Sequence, residues 1–233
     1  MSKLDELLCE LLQEAGAVLV GFGDLHEVPS EDRLGLPFGV SVAIAYEPDT
    51  ILGIADGPTQ RYWQQYSELN ERLDAMVIQA AEWLQDQGYQ AVPQTRDYVG
   101  DFSKTLRSKL PHKTVATRAG LGWIGKCALL ITPEYGSMIR LSSLLTDAPL
   151  APAAPINTSR CGSCTSCADN CPAKAVSGEV WQLGLPRDEF WDARACDSFA
   201  RQLAAERLGA PYALCGKCIA VCPHTQAHIK RCS

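Results

Sequence analysis

Seven cysteines in the last third of the chain constrain it more than any other feature. Cys161-Gly-Ser-Cys164-Thr-Ser-Cys167-Ala-Asp-Asn-Cys171-Pro172 reads C-x2-C-x2-C-x3-C-P, and Cys215-Gly-Lys-Cys218-Ile-Ala-Val-Cys222-Pro223 reads C-x2-C-x3-C-P. Thiolates spaced this closely wrap one face of an iron–sulfur cube, and the fourth cysteine of such a run ordinarily ligates a second cluster. A tetrahedral zinc site draws instead on two separated pairs. The proline after the last cysteine of each run closes the turn, because it cannot continue a helix.

Two cubanes need about eight thiolates, one more than the runs supply. Cys9, Cys127, Cys196 and Cys232 remain. Cys196 lies between the runs and is the first candidate; Cys232 is its rival. By the crossover rule one cluster takes Cys161, Cys164, Cys167 and Cys222, and the other takes Cys171, Cys215, Cys218 and Cys196.

Eleven cysteines in a secreted chain would suggest a disulfide scaffold, but thiolate spacing of this kind points to a reducing compartment. The N-terminus, Met1-Ser-Lys-Leu-Asp-Glu-Leu-Leu, carries acids where a signal peptide has an apolar run. No apolar stretch approaches the ~18 residues that span a bilayer. A cytoplasmic protein without membrane contact is expected. The net charge of −6 disfavours non-specific binding to a phosphate backbone.

Leu4, Leu7, Leu8, Leu11 and Leu12 recur at helical spacing, so residues 3–15 are expected as an amphipathic helix ended by Gly16. Residues 17–22 read as a strand, and 38–46, apolar on both faces, as a buried central strand. Leu69, Leu73, Met76, Val77, Ala80 and Leu84 form one helical stripe that ends at Gly88. Residues 89–93 read as a strand, 94–112 as irregular and 113–119 as helical. Residues 127–132 and 137–145 are expected as strands joined by a turn at 133–136. Three prolines and four alanines between Asp147 and Pro155 read as a stiff linker. The expected division is therefore 1–152, a cofactor and substrate domain, and 153–233, a cluster module. The fold class is α+β.

Gly120-Leu121-Gly122-Trp123-Ile124-Gly125 has the form G-x-G-x-x-G. A dinucleotide site needs a strand before it and a helix after; here a polar segment precedes and a strand-like one follows. The glycines still imply tight turns and close backbone approach, either to another strand or to a flat ligand. By type alone Trp123 is equally a core residue.

Thr117-Arg118-Ala119-Gly120-Leu121-Gly122-Trp123-Ile124-Gly125-Lys126, Leu144-Leu145-Thr146-Asp147-Ala148-Pro149-Leu150 and the two cysteine runs, in this order and spacing, resemble the epoxyqueuosine reductase family. The resemblance covers residues 113–223 and is looser before them. It implies a nitroreductase-like mixed α/β domain that binds cobalamin, followed by a ferredoxin-like module with two 4Fe-4S clusters. Electrons would pass from the clusters to cobalt and then to an electrophilic small molecule, with reduced ferredoxin or flavodoxin as donor. Reductive dehalogenases share this plan. The resemblance makes Gly120, Leu121, Gly122, Trp123 and Gly125 candidates for the cofactor cavity, with Arg118 and Lys126 meeting its phosphate or amide groups. A serine two places after the isolated cysteine is a family feature, which Ser198 meets; Ser198 and Gly216 would then face the cofactor. A monomer or homodimer is expected.

The chain also departs from the family. A Gly-Arg-Asp-Tyr-His stretch, whose aspartate is the family's proton donor, has no counterpart near Gln64; Arg96-Asp97-Tyr98 comes after the helix. Tyr62 and Tyr66 lie near the missing aspartate and are candidate acids, as is His112, whose type titrates near neutrality. Each is equally readable as a packing or capping residue. Cys127 replaces the family's histidine or asparagine and reads as an inert buried thiol. The family's helical-repeat region, which helps hold tRNA, has no counterpart in the eleven residues after Cys222, so tRNA is expected to be an unlikely partner. Two alternatives stay open: an electron-transfer protein that activates a partner's corrinoid or other redox centre, and a module binding flavin.

Overall fold

The structure, a computed structural model, describes residues 2–99 and 105–232. Along the chain run α1 (Lys3–Glu14), β1 (Leu19–Asp24), β2 (Phe38–Ala45), α2 (Pro48–Leu52), α3 (Gln60–Asp86), β3 (Ala91–Pro93) and α4 (Arg96–Val99). Then come α5 (His112–Arg118), β4 (Trp123–Ile124), β5 (Leu130–Ile131), β6 (Ile139–Thr146), α6 (Ser166–Asp169) and α7 (Arg187–Phe190). The chain ends in α8 (Ala193–Leu208), α9 (Lys217–Ala220) and α10 (Pro223–Cys232). This is the mixed α+β composition expected. Residues 100–104 of the stretch read as irregular lie outside the described residues.

Contacts divide the chain into two compact units. One contains 1–44, 69–122 and 140–156; the other contains 45–68, 123–139 and 157–233. The linear division at 152/153 does not match this. Nor does 147–155 behave as a linker. Within the first unit Ala148 and Leu150 are buried, the Ala151 amide donates to Asp5 Oδ1, and the Ala153 and Ile156 amides donate to the carbonyls of Phe22 and Thr117.

In the first unit a four-stranded sheet has the order β1-β2-β6-β3. β1 pairs antiparallel with β2, Leu19 opposite Ala43, and β3 pairs antiparallel with β6, Ala91 opposite Thr146. All six inner residues of β2 are buried, as a strand apolar on both faces requires. Ser2 and Asp5 form a reciprocal capping box on α1, which satisfies otherwise orphaned amides at its start. The stripe from Leu69 to Leu84 is buried. Gly21 and Gly23, on one face of β1, let the end of α5 approach closely. A Cβ on Gly23 would stand 2.9 Å from the Ala119 backbone nitrogen.

In the second unit β4 and β5 form a short antiparallel hairpin, with Trp123 opposite Ile131. A strand over 127–132 was expected; only Leu130 and Ile131 are extended, and Cys127 lies in the connecting turn. The second strand is short because Gly125 and Ala128 close the turn tightly, the Ala128 amide donating to the Gly125 carbonyl. The following turn, 132–136, is fastened to α10: Ser137 donates its amide to Thr225 Oγ1 at 3.1 Å, and His228 and Arg231 both reach the Glu134 carbonyl. Asp192 caps α8, and left-handed Gly209 ends it. Among the described residues no helix is long and apolar enough to cross a membrane.

Gly136 has φ +58°, and a Cβ there would run into the Thr225 backbone. Left-handed backbone costs a residue with a side chain about 1–2 kcal/mol before any clash. Gly136→Ala is expected to destabilise the folded protein by ~2 kcal/mol or more, read as a lower midpoint in thermal or urea unfolding.

Candidate metal centre

The second unit gathers residues far apart in sequence around one cavity of about 80 Å³, whose lining includes Cys161, Cys164, Cys167, Cys222, Cys127 and Cys218. Cys161 and Cys164 come from the turn leading into α6, Cys167 lies in α6, and Cys222 follows α9. The Cys164 amide closes a turn on the Cys161 carbonyl, and the Cys222 amide closes one on the Ile219 carbonyl. These turns aim thiols inward without a long helix. The four thiols expected to share one cluster therefore line one space. Among the described residues no three His, Cys, Asp or Glu converge on a point as they would around a single ion. Thiols spread around a cavity fit a group of several metal atoms, each taking one thiolate.

Cys196, near the start of α8, is close enough to Cys171 and Cys215 to be affected by their charge. Burial first, then those two thiols, pushes its pKa up to about 11. Cys215 is raised by burial and by Cys171. The structure thus brings Cys196 to two members of its expected set, while Cys232, the rival, is exposed beside His228 at 3.4 Å. Cys218, the fourth expected member, lines the first cavity and contacts Cys127.

Cys127 is buried but not isolated. It lines the same cavity as Cys167 and Cys218. The Cys167 thiol pulls its pKa down, while Cys218, together with burial, outweighs that and holds the thiol well above its usual range. Cys167 is raised in turn, first by Cys127 and then by burial. The reading of Cys127 as an inert core thiol is corrected by this position. Its only sequence signal was an apolar neighbourhood, which does not distinguish a core from a thiol-lined cavity.

The glycine–tryptophan segment does not present an open surface for a flat ligand within either unit. A Cβ on Gly120 would stand 2.8 Å from the Ala154 carbonyl oxygen, and one on Gly125 would collide with Ile131. Gly122 and Trp123 are buried, and Leu121 packs over Gly21. Trp123 meets His224 edge-on at 5.0 Å, with the Arg160 guanidinium 5.5 Å from its ring centre. Arg118 is occupied by the Asp24 carbonyl and by Glu27 at 2.8 Å. Lys126 lines the thiol cavity and donates to the Cys164 carbonyl at 2.9 Å. A Cβ on Gly216 would press on Ile54 and Tyr62. Ser198 is exposed on α8. Gly120, Gly125, Gly216 and Arg118 thus make their close approaches to protein, whereas Ser198 is exposed and the buried Trp123 indole nitrogen has no hydrogen-bond partner among the described residues.

Of the candidate acids, Tyr62 is buried, with its ring 5.3 Å from that of Tyr46, and Tyr66 is half-buried one turn on. His112 is in the other unit, with Nδ1 2.8 Å from Ser143 Oγ. Desolvation, reinforced by the Arg140 charge, lowers its pKa to about 4. It is neutral at pH 7, not titrating near neutrality as its type suggested.

Residues 160–225 match the model of a 4Fe-4S double cluster binding domain. That match and the thiol-lined cavity define an iron–sulfur protein. The epoxyqueuosine reductase of Bacillus subtilis (strain 168) is 32% identical over 235 residues, covering 91% of this chain and 55% of that protein. That of Bacillus anthracis is 35% identical over 122 residues, covering 49% of this chain and 30% of its own. The chain is a homologue of the epoxyqueuosine reductases and is related to reductive dehalogenases. It spans about half the length, or less, of these curated relatives.

Two solved structures share the fold. Epoxyqueuosine reductase with a tRNA-Tyr epoxyqueuosine-modified stem loop aligns with TM-score 0.62 and 23% identity, covering 97% of this chain and 66% of that one. A reductive dehalogenase whose structure suggests a mechanism for B12-dependent dehalogenation aligns with TM-score 0.67 and 18% identity, covering 94% and 31%. The first overturns the expectation that tRNA is an unlikely partner, because the body of a structure holding a tRNA stem loop matches nearly this whole chain.

The sign of the His112 effect follows from its lowered pKa. Below pH 6.5 the unfolded chain takes up a proton that the folded chain refuses until about pH 4. His112 therefore favours the folded state above pH 6.5 and loses that contribution as pH falls toward 4. NMR of ring-labelled histidine is expected to give a midpoint near 4 for the resonance that disappears in His112→Asn.

Proposed function

We propose that the chain is an iron–sulfur reductase carrying two 4Fe-4S clusters, one on Cys161, Cys164, Cys167 and Cys222, the other on Cys171, Cys196, Cys215 and Cys218. The observation that carries this reading is the convergence of the first four thiols on one cavity, from two runs more than forty residues apart. Metal binding deprotonates its thiols, so the raised pKa of Cys167, Cys196, Cys215 and Cys222 in the metal-free chain makes cluster assembly release protons.

The substrate class is an electrophilic carbon centre. A tRNA stem loop carrying epoxyqueuosine is the substrate suggested by the homologues and by the solved complex. The family's proton donor has no counterpart near Gln64, and the side chains supplied in that region are Tyr62 and Tyr66. Tyr66, the less buried of the two, is the better placed to donate. Kinship with a B12-dependent dehalogenase suggests a corrinoid acceptor. Corrinoid binding is therefore put to experiment by itself. A cytoplasmic location is part of the same reading.

Anaerobic reconstitution with iron and sulfide is expected to give about eight irons per chain. Cys196→Ala should fall to about half that, while Cys232→Ala stays level; an unchanged iron content in Cys196→Ala would remove Cys196 from the second cluster. Hydroxocobalamin that co-elutes on gel filtration supports a corrinoid acceptor, and iron-loaded protein eluting without it rules that acceptor out. Reduction of the epoxyqueuosine stem loop, followed by mass spectrometry of the nucleoside, tests the substrate. Tyr66→Phe should slow turnover by roughly 10²-fold or more if Tyr66 is the acid.

A further inference from the structure

Lys126 stands in the turn of the β4–β5 hairpin, is 5% exposed, and lines the cavity formed by Cys161, Cys164, Cys167 and Cys222. Its Nζ donates to the Cys164 carbonyl at 2.9 Å. Among the described residues no carboxylate pairs with it. A neutral carbonyl accounts for one of the three donors of an ammonium and for none of its charge. Buried charges are found paired, because taking an ion from water without a counter-ion costs several kcal/mol. Among the described residues the lining of this cavity holds no carboxylate, and its thiols are the groups there that can become anions.

We propose that Lys126 is the counter-ion of the cluster in this cavity and holds that cluster's reduction potential above the value four thiolates alone would give. The inference rests on the cluster reading above. A cubane on four thiolates is an anion in both oxidation states. Uptake of one electron from a reductant breaks no bond and adds one negative charge. A fixed cation beside it stabilises the reduced form more than the oxidised form, so the potential rises. Net charge and hydrogen bonding around the sulfurs are among the levers that set such potentials. The attraction acts strongly here because the site is shielded from water and salt.

The geometry also explains why the lysine lies on the hairpin and not on the cysteine runs. A four-carbon stem needs an apolar wall, which Ile131 provides in the same lining. The Cys164 carbonyl then orients the ammonium from within the first run. Lys126 is a positioning and charge-compensating residue; it touches no substrate.

The test is an EPR-monitored redox titration of reconstituted protein, comparing the unsubstituted chain with Lys126→Gln and Lys126→Arg. In Lys126→Gln one cluster should titrate at a more negative potential while the other is unmoved, and Lys126→Arg should return it toward the original value. Loss of about half the iron in Lys126→Gln alone, with unchanged circular dichroism, also supports the proposal, since the charge is then needed to keep the cluster. Full iron content with both potentials unmoved in Lys126→Gln overturns it. Equal loss of iron in both variants overturns it as well, because packing and not charge would be responsible. An unsubstituted chain that takes up no iron fails the cluster reading itself, a result visible before any variant is made.

Discussion

Holding several thiols around one space, in a segment with little apolar mass to fix them, is the constraint on which the second unit depends. Between residues 157 and 232 few large side chains are buried: Trp181, Phe190, Leu214, Ile219 and Ile229 stand among alanines, Val176, Cys222 and Thr225. Such a segment buries too little apolar surface to order a long run of turns unaided. The cysteine turns are set by short local hydrogen bonds, and six of the side chains lining the cavity they enclose are cysteines. Metal bound there contributes its binding free energy to folding. A small cluster module of this kind is thus expected to be stable when loaded and marginal when empty.

The module does not stand by itself. Segments 45–68 and 123–139, from the first two-thirds of the chain, group with it by contacts. The hairpin β4–β5 brings Lys126 and Cys127 to the cavity, the turn at Gly136 is fastened to α10, and Tyr62 and Ile54 close over Gly216. Glycine is used in both units for the same purpose. Gly21, Gly23, Gly120, Gly125 and Gly216 each stand where a Cβ would meet another part of the protein. In each case the room is taken by backbone or by a packed side chain, and a pattern resembling a ligand cradle is a set of close internal approaches.

Likeness to the epoxyqueuosine reductases extends over 91% of the chain in the Bacillus subtilis enzyme. The double-cluster match covers 160–225, and the 122-residue alignment to the Bacillus anthracis enzyme covers about half of the chain. One electron-carrying plan serves relatives that differ in what they reduce, because clusters deliver electrons without contacting the substrate. Substrate choice must then reside outside the cysteine turns.

Spacing alone grouped Cys161, Cys164 and Cys167 and added Cys222 across more than fifty residues, and these four thiols line one cavity together with Cys127 and Cys218. The helix of the Leu69–Leu84 stripe, the leucine-patterned α1 and the buried strand β2 were likewise legible, since periodicity is a local property of the backbone. What sequence could not assign was any property that depends on a partner distant in the chain. Cys127 read as core and lies against two cavity thiols; His112 read as titratable and is held neutral by burial and Arg140. The alanine–proline stretch read as a linker and is packed on Phe22 and Asp5. Lys126 read as a contact for a cofactor's phosphate, and it is a buried cation among thiols. Residue type and spacing determined which chemistry the chain carries; tertiary structure decided which charges share one low-dielectric space, because burial and electrostatic neighbours are not encoded in nearby sequence.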